Sequence, residues 1–284
     1  MPGNSLQKKH KVFCFGIGYT AKHLKRHFSF LEGTSRLGDR DTICFEDVPK
    51  VQKALENVTH ILISIPPTEE GDVTLMRYGR LLEGLDSLQW AGYLSSTSVY
   101  GDHQGRVVDE TSPCLPTNKR SLERLKAEEA WLASRLPVHI FRLSGIYGEG
   151  RSVFSRLNSV PLSPRIYKPG HKFSRCHVED ICQVLTASMD KPTAGEIFNV
   201  ADDLPAEPRD VIEYACDLLG YPYPPLVSFK EADLSQRAKE FYDDHKSVSN
   251  EKIKSFLGIR LKYPTYKEGL KGIARNLSEL PFKP

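Results

Sequence analysis

An α/β fold with a doubly wound parallel sheet, followed by a small carboxyl-terminal α/β lobe, is predicted by three observations in this 284-residue sequence. Short apolar runs alternate with helix-period segments from Lys11 to Leu143, a glycine turn joins the first run to the first helical segment, and the alternation loosens past residue 150. Strands alternating with helices require right-handed crossovers and a parallel sheet covered on both faces.

Lys11 to Phe15 reads as the first strand, ending in Gly16-Ile17-Gly18, after which Ala21, Leu24 and Phe28 recur at helical spacing. Phe30 to Ser35 is predicted as the second strand, Thr42 to Phe45 as the third and His60 to Ile65 as the fourth, with Pro66 and Pro67 halting it. Val48 to Glu56 supplies a short helix before the fourth strand, and a longer helix runs from about Val73 to Leu88 after it. Tyr93 to Gly101 gives a fifth strand and turn, Arg120 to Arg135 a helix, and Val138 to Leu143 a sixth strand. Beyond the Pro- and Gly-rich connections of Pro161 to Gly170 come a helix over Val178–Met189, a short strand over Ile197–Val200 and a helix over Pro208–Leu219.

These elements divide the chain into a core over residues 1–160, to which 176–201 return, and a smaller lobe over 202–284 with part of 151–175. Hydrophobic residues at 39% and charged residues at 26% suit a globular domain, and no apolar run approaches the length of a membrane span. The apolar stretch after the basic amino terminus breaks at Gly16 without a small-residue cleavage site and so reads as the first strand, while Lys8 and Lys9 read as a frayed tail. A net charge of +3 without a block of like charges gives no argument for a nucleic-acid partner, and none is expected. Cys14, Cys44, Cys114, Cys176, Cys182 and Cys216 form no C-x-x-C pair and read as reduced thiols of a cytoplasmic protein. Nine scattered histidines without a ligand spacing leave a metal site unsupported.

Gly16-x-Gly18-x-x-Ala21 follows an apolar strand and opens a helix, the context of a dinucleotide-binding Rossmann turn. There Gly16 allows the tight turn, Gly18 lets the backbone approach a pyrophosphate and Ala21 lets helix and strand pack closely, while free N–H groups at the helix start face the anion. Tyr19 and Thr20 fall at that start, and Ser64, Ile65 and Pro66 close the fourth strand beside the same ligand. A plain strand-turn-helix with glycines at its bend is the alternative. An acid for the ribose 2′-hydroxyl is expected at the end of the second strand in NAD sites, yet Thr34-Ser35-Arg36 stands there. Arg36 can pair with a 2′-phosphate and Ser35 can donate to it, so NADP(H) is favoured over NAD(H). The competing reading makes Arg36 an exposed loop residue beside Asp39 and Asp41.

Several further segments carry a resemblance: Tyr93-Leu-Ser-Ser96-Thr-Ser-Val-Tyr-Gly-Asp102, Val108-Asp-Glu110 with Pro113, Arg142-Leu-Ser-Gly-Ile-Tyr-Gly148, Ser174-Arg-Cys-His-Val-Glu-Asp180 and Phe198-Asn-Val-Ala-Asp202. Together with the glycine turn, and across nearly the whole chain, they resemble the extended and atypical branch of the short-chain dehydrogenase/reductase superfamily, the NAD-dependent epimerase/dehydratase-like proteins. The carboxyl end, from Ser247-Val-Ser-Asn250 to Tyr263-Pro-Thr-Tyr-Lys-Glu-Gly269, resembles a subgroup related to sugar-nucleotide epimerases. The resemblance implies that Ser96 orients the substrate hydroxyl. It also implies a Tyr-x-x-x-Lys pair about twenty-five residues later, and here the chain departs from the family. No tyrosine lies between Tyr100 and Tyr147, and Arg120 and Arg124 occupy the two positions.

Arginines at i and i+4 share one helix face, so Arg124 can contact a ribose or phosphate as the family lysine does. Neither arginine is a proton carrier at neutral pH. Their alternative is a solvated helix face flanked by Glu123 and Glu128. Tyr100 and Tyr147, at strand ends on the ligand side of the sheet, are either substitute proton donors or cleft walls. His177 and Asp180 at a helix start read as structural. Lys168, Lys172 and Arg175 either meet an anionic substrate or are surface charges. The sequence therefore predicts an NADP(H)-binding oxidoreductase or epimerase-like enzyme acting on a small molecule such as a nucleotide sugar, and the resemblance, not the residues, allows a homodimer. Ser96, Arg124 and Tyr147 are its candidate catalytic groups. A non-catalytic NADP(H)-sensing regulator is the second reading, and NAD remains the alternative cofactor.

Overall fold

The computed structural model describes residues 10–28, 31–157 and 164–278. The strands are β1 (Val12–Phe15), β2 (Leu31–Ser35), β3 (Ile43–Cys44), β4 (His60–Ile63), β5 (Trp90–Ser96), β6 (Val107–Val108) and β7 (Val138–Leu143). They continue as β8 (Gly145–Tyr147), β9 (Arg165–Tyr167), β10 (Arg175–His177), β11 (Ile197–Val200), β12 (Leu226–Ser228) and β13 (Ser247–Val248). The helices are α1 (Tyr19–Leu24), α2 (Val48–Ala54), α3 (Val73–Glu83), α4 (Lys119–Ala133) and α5 (Val153–Leu157), then α6 (Val178–Met189), α7 (Pro208–Leu219), α8 (Gln236–Asp243), α9 (Glu251–Ser255) and α10 (Tyr266–Ser278).

Seven strands form one sheet in the order β11-β7-β5-β4-β1-β2-β3, and every pairing in it is parallel. The order reverses between β1 and β4. Val12 stands opposite Leu31 on one side and His60 on the other, so the carboxyl ends of β1 and β4 open a crevice above the sheet. Val12, Phe13, Cys14 and Phe15 are all fully buried, which explains why β1 is an unbroken apolar run rather than an alternating one. One face of the sheet packs Val12, Cys14, Leu62 and Phe141 against Ile181, Val184 and Leu185 of α6. The other packs Phe13, Phe15, Ile61 and Tyr93 against Val51 of α2, Tyr78 and Leu82 of α3, and Ala127 and Trp131 of α4.

Helix boundaries follow local chemistry. Asp72 caps α3 by accepting from the N–H groups of Thr74 and Leu75, and Asn118 caps α4 through Ser121, each such cap contributing about 1 kcal/mol. The sequence pattern carries the α3 helix to Leu88, but it stops at Glu83 with Gly84 as its cap. The helical pattern through Phe28 also shortens. α1 ends at Leu24, a 3₁₀ turn takes Lys25–His27, and Phe28 is extended. Phe30, expected to open the second strand, lies outside the described residues, as do Lys8 and Lys9. The fifth strand starts at Trp90, three residues before the expected Tyr93, and gives way to a 3₁₀ turn over Thr97–Tyr100.

Past β7 the chain builds a third cluster, in which Tyr147, Phe154 and Ala206 pack with Ile212 and Ala215 of α7 and with Tyr266 and Leu270 of α10. Three two-stranded ribbons, β8 with β10, β9 with β12 and β6 with β13, tie this region together. Among the described residues no helix is long and apolar enough to cross a membrane.

Candidate functional site

A groove of about 900 Å³ opens where the strand order reverses, lined by Gly16, Gly18, Ser35, Arg36, Ser64, Ile65 and Pro66 from the sequence-derived candidates. Gly16 has φ +91, a left-handed backbone, and a Cβ there would stand 2.8 Å from Ile65 Cγ1. At Gly18 the nearest atom to such a Cβ is Ser64 Oγ at 3.9 Å, so its hydrogen leaves open space over the turn. No side chain caps the first N–H groups of α1, which follow Gly18 directly. The turn is held from beneath by Thr34, a buried residue the sequence reading did not single out. Its Oγ1 accepts from Gly16 N at 3.1 Å and its carbonyl from Ile17 N at 2.7 Å. The residues present thus fit a dinucleotide diphosphate: a bend only glycine adopts, a cradle a side chain would fill, and unpaired donors facing it.

The same groove continues to Arg36, Phe45, Glu46 and Arg77. Arg36 is exposed, and among the described residues it forms no ion pair with Asp39 or Asp41. Asp39 is instead engaged within its own exposed turn, accepting from Thr42 Oγ1 and Asp41 N at 2.8 Å each, and the Thr42 hydrogen bond holds its carboxyl below the ordinary value. Ser35 differs from expectation. Thr42 gives its proton to Asp39, and Gly38 N donates to Ser35 Oγ at 3.1 Å, so the Ser35 hydroxyl donates to Thr42 Oγ1 at 2.7 Å. Its proton is committed to the turn that presents Arg36. Arg77, on α3, pairs with Glu46 and lies 5.7 Å above the Phe45 ring. Phe45 falls at the expected end of a strand, Arg77 within an expected helix and Glu46 between segments, and no local pattern marks any of them.

Tyr19 and Thr20 do not line the groove. Thr20 is buried in α1, whereas the Tyr19 hydroxyl donates to the Glu149 carbonyl at 2.9 Å beneath the Arg151 guanidinium, and burial raises its pKa to about 12. Tyr19 therefore fastens α1 to the loop after β8.

At the end of β5, Ser96 Oγ accepts from Ser98 N at 3.2 Å and opens the 3₁₀ turn. Arg124 donates from Nη1 to the Leu94 carbonyl at 2.9 Å, two residues before Ser96. α4 thus presents an arginine to the strand that carries the serine, while Arg120 is exposed. Glu128 is no solvated flank. It is 1% exposed, accepts from Ser95 Oγ, and takes Arg142 Nη2 at 2.8 Å and Nε at 3.1 Å. Arg142 also donates to Tyr100 Oη at 2.9 Å, and that hydroxyl donates to Asn199 Oδ1 at 2.8 Å. Burial raises Tyr100 to about 12, so it holds its proton within this network at neutral pH.

Tyr147 lies apart from Ser96, under α10. Its hydroxyl donates to the Thr265 carbonyl at 3.3 Å, its ring packs edge-on to His177, and burial pushes its pKa well above the ordinary value. His177 caps α6 by accepting from Glu179 N, and Asp180 accepts the N–H groups of Lys262 and Tyr263 at 2.6 and 3.1 Å. Both fasten loops. Lys168 donates to the Tyr242 carbonyl and sits 4.8 Å over the Phe229 ring, and Lys172 is exposed. The six cysteines are free thiols. Among the described residues no group of His, Cys, Asp and Glu is placed to hold a metal ion.

No protein-family model matches the chain. It is 35% identical over 179 residues to protein YeeZ of Escherichia coli strain K12; the match takes in 61% of this chain and spans 58% of the length of that curated relative. A functionally unknown conserved protein from Silicibacter pomeroyi is similar at 44% identity and TM-score 0.87, over 94% of this chain and 98% of its own. The dTDP-glucose 4,6-dehydratase of Bacillus anthracis, solved in complex with NAD, superimposes at TM-score 0.73 over 96% of this chain and 97% of its own. At 18% identity that likeness is one of fold.

Proposed function

This chain belongs to one family with the Silicibacter pomeroyi protein, within the epimerase/dehydratase-like fold group of the short-chain dehydrogenase/reductases, and on that premise we propose that it binds NADP(H) and acts as an oxidoreductase or epimerase-like enzyme on a small molecule. The observation that carries the proposal is the groove at the switch point. A glycine turn with open space over Gly18 forms one end and Arg36, free of Asp39 and Asp41, the other. When bound, the coenzyme supplies hydride chemistry at its nicotinamide. Gly16 and Gly18 would admit its diphosphate, Ser64, Ile65 and Pro66 would wall it, and Arg36 would pair with the 2′-phosphate, with Ser35 holding the turn beneath. Tyr19 and Thr20 would support the start of α1 rather than touch the ligand.

In this reading Ser96 orients the substrate hydroxyl and Arg124, anchored on Leu94, presents positive charge to the ribose or substrate. Tyr147 fastens the chain beneath α10, and its buried, bonded hydroxyl makes a poor acid. Free thiols suit the cytoplasm, and the exposed Leu122 and Leu132 on α4 support a homodimer. The test is calorimetric titration with NADPH and NADH. NADPH is expected to bind at least about tenfold more tightly, and Arg36→Ala to abolish that preference by removing a charge-assisted contact of about 1.5–3 kcal/mol. Equal affinity of the wild type for both coenzymes would sink the 2′-phosphate assignment.

A second reading is favoured by one observation: α4 brings an arginine, and no tyrosine, to the strand end that carries Ser96. A regulator that senses NADP(H) would bind the coenzyme equally well and transfer no hydride. Turnover of any carbonyl, alcohol or nucleotide sugar with NADP(H) would exclude it.

A further inference from the structure

Four strands meet at one point on the ligand side of the sheet, where β7 and β11 end, β8 follows and β10 begins. Ser144 N donates to the Val200 carbonyl at 3.0 Å, Gly145 N to Ser174 at 3.2 Å, and Asp202 N to Arg175 at 2.6 Å. Arg175 stands opposite Gly145 across β10 and β8, and Val200 opposite Leu143 across β11 and β7. Backbone register therefore brings Ser144, Arg175 and Asp202 together although they are distant in sequence.

Their side chains are incompletely satisfied. Ser144 and Asp202 are 5% and 3% exposed, yet among the described residues Ser144 Oγ and Asp202 Oδ2 have no hydrogen-bond partner. Asp202 Oδ1 accepts from Leu204 N at 3.2 Å. Arg175 uses Nη1 for the carbonyls of Phe173 and Ala206, at 2.9 and 3.0 Å. Among the described residues its Nε and Nη2 make no hydrogen bond and Arg175 enters no ion pair. The neighbouring acids are occupied elsewhere, Asp203 by Lys254 and Asn250, and Asp180 by two backbone N–H groups. Roughly nine in ten buried polar groups have a partner, so two orphaned oxygens beside spare guanidinium donors point to partners supplied from outside the chain. Their position at the carboxyl ends of adjacent strands is where open α/β sheets place ligands. Burial raises Asp202 to about 7, an effect that the Leu204 N–H and the nearby Arg175 charge only partly offset.

We propose that this junction is a substrate subsite for a hydroxylated anion. Arg175 receives its carboxylate or phosphate through Nε and Nη2, and Asp202 Oδ2 and Ser144 Oγ bond a neighbouring hydroxyl. Its use in a reaction rests on the cofactor reading above, but its binding does not. The experiment is calorimetry of the full chain at neutral pH with sodium gluconate, inorganic phosphate and sorbitol, alongside NADPH titration of the same preparations. Gluconate or phosphate should bind and sorbitol should not; the tighter of the two anions identifies the carboxylate or the phosphoryl source. Arg175→Met should weaken the anion roughly tenfold or more, as loss of a charged hydrogen bond requires, and Arg175→Lys should weaken it less. Asp202→Asn should lower the preference for gluconate over phosphate. Failure of the wild type to bind either anion, or an affinity unchanged within about twofold in folded Arg175→Met, would overturn the proposal. If Arg175→Met does not fold, an unchanged gluconate-to-phosphate ratio in Asp202→Asn does the same. Anion binding without NADPH binding would sink the cofactor reading alone.

Discussion

Gly16 and Gly18 occupy one turn for different physical reasons, and substitution separates them. Gly16→Ala forces a side chain onto φ +91 and into Ile65, strain of about 1–2 kcal/mol before Ile65 is displaced. It should lower the melting temperature and coenzyme affinity together. Gly18→Ala meets no protein atom nearer than 3.9 Å, so it should melt like the wild type in calorimetric scans and still lose coenzyme affinity. Equal destabilisation by both would show that the space over Gly18 is structural. The glycines were legible because their spacing sits between an apolar run and a helical one. Arg36 was legible as a charge where an acid is ordinarily found. Thr34 and the Ser35 proton were not, because their roles depend on which atoms Asp39 and Thr42 turn toward, and no spacing encodes that.

α4 illustrates what a pattern can and cannot carry at the scale of an element. Its helical period is plain, and the observed Lys119–Ala133 differs from the expected Arg120–Arg135 by a residue or two at each end. Glu128, however, reads as surface charge on a helix rich in Lys, Arg and Glu, and is buried against Arg142 of β7. Removing one partner leaves a buried charge without compensation. Glu128→Gln should therefore cost about 3–5 kcal/mol in urea unfolding, whereas Glu128→Met with Arg142→Met should recover much of that loss. A double variant no more stable than the single would show that the pair is not coupled. The ribbons were illegible for another reason. Two- and three-residue strands have no period to read, and β6 pairs with β13, which follows it by more than a hundred residues, Val107 facing Ser247.

Over the whole molecule, buried titratable groups set the response to acid. His60, His139, His171 and His177 are each pushed down to about 4 by burial. In the unfolded chain they take up protons near about 6.5, so their contribution to stability is complete above that pH and declines as pH falls toward 4. Asp180 and Asp202, raised to about 6 and about 7 by burial, oppose this, because they are most favourable to the fold below the ordinary carboxylate range and lose that contribution as pH rises through their folded values. Asp72 and Glu110, also raised by burial, act with these two carboxyls, and the four histidines set the net direction. Unfolding free energy in urea should fall by a few kcal/mol between about pH 7 and pH 4.5, and His139→Gln, which replaces a ring held 2.6 Å from Ser188 Oγ, should flatten that slope. A flat profile in the wild type would contradict the neutral buried histidines. The sequence by itself determined the parallel α/β class, the order of the core elements, the glycine turn and the cation at its far end, since periodicity and backbone freedom are local properties. Only the tertiary structure decided that Tyr19 and Tyr147 fasten loops, that Glu128 is buried and that the backbone N–H of Asp202 reaches the Arg175 carbonyl. Those facts depend on contacts between residues far apart in the chain, which come within reach only once the strands are in register.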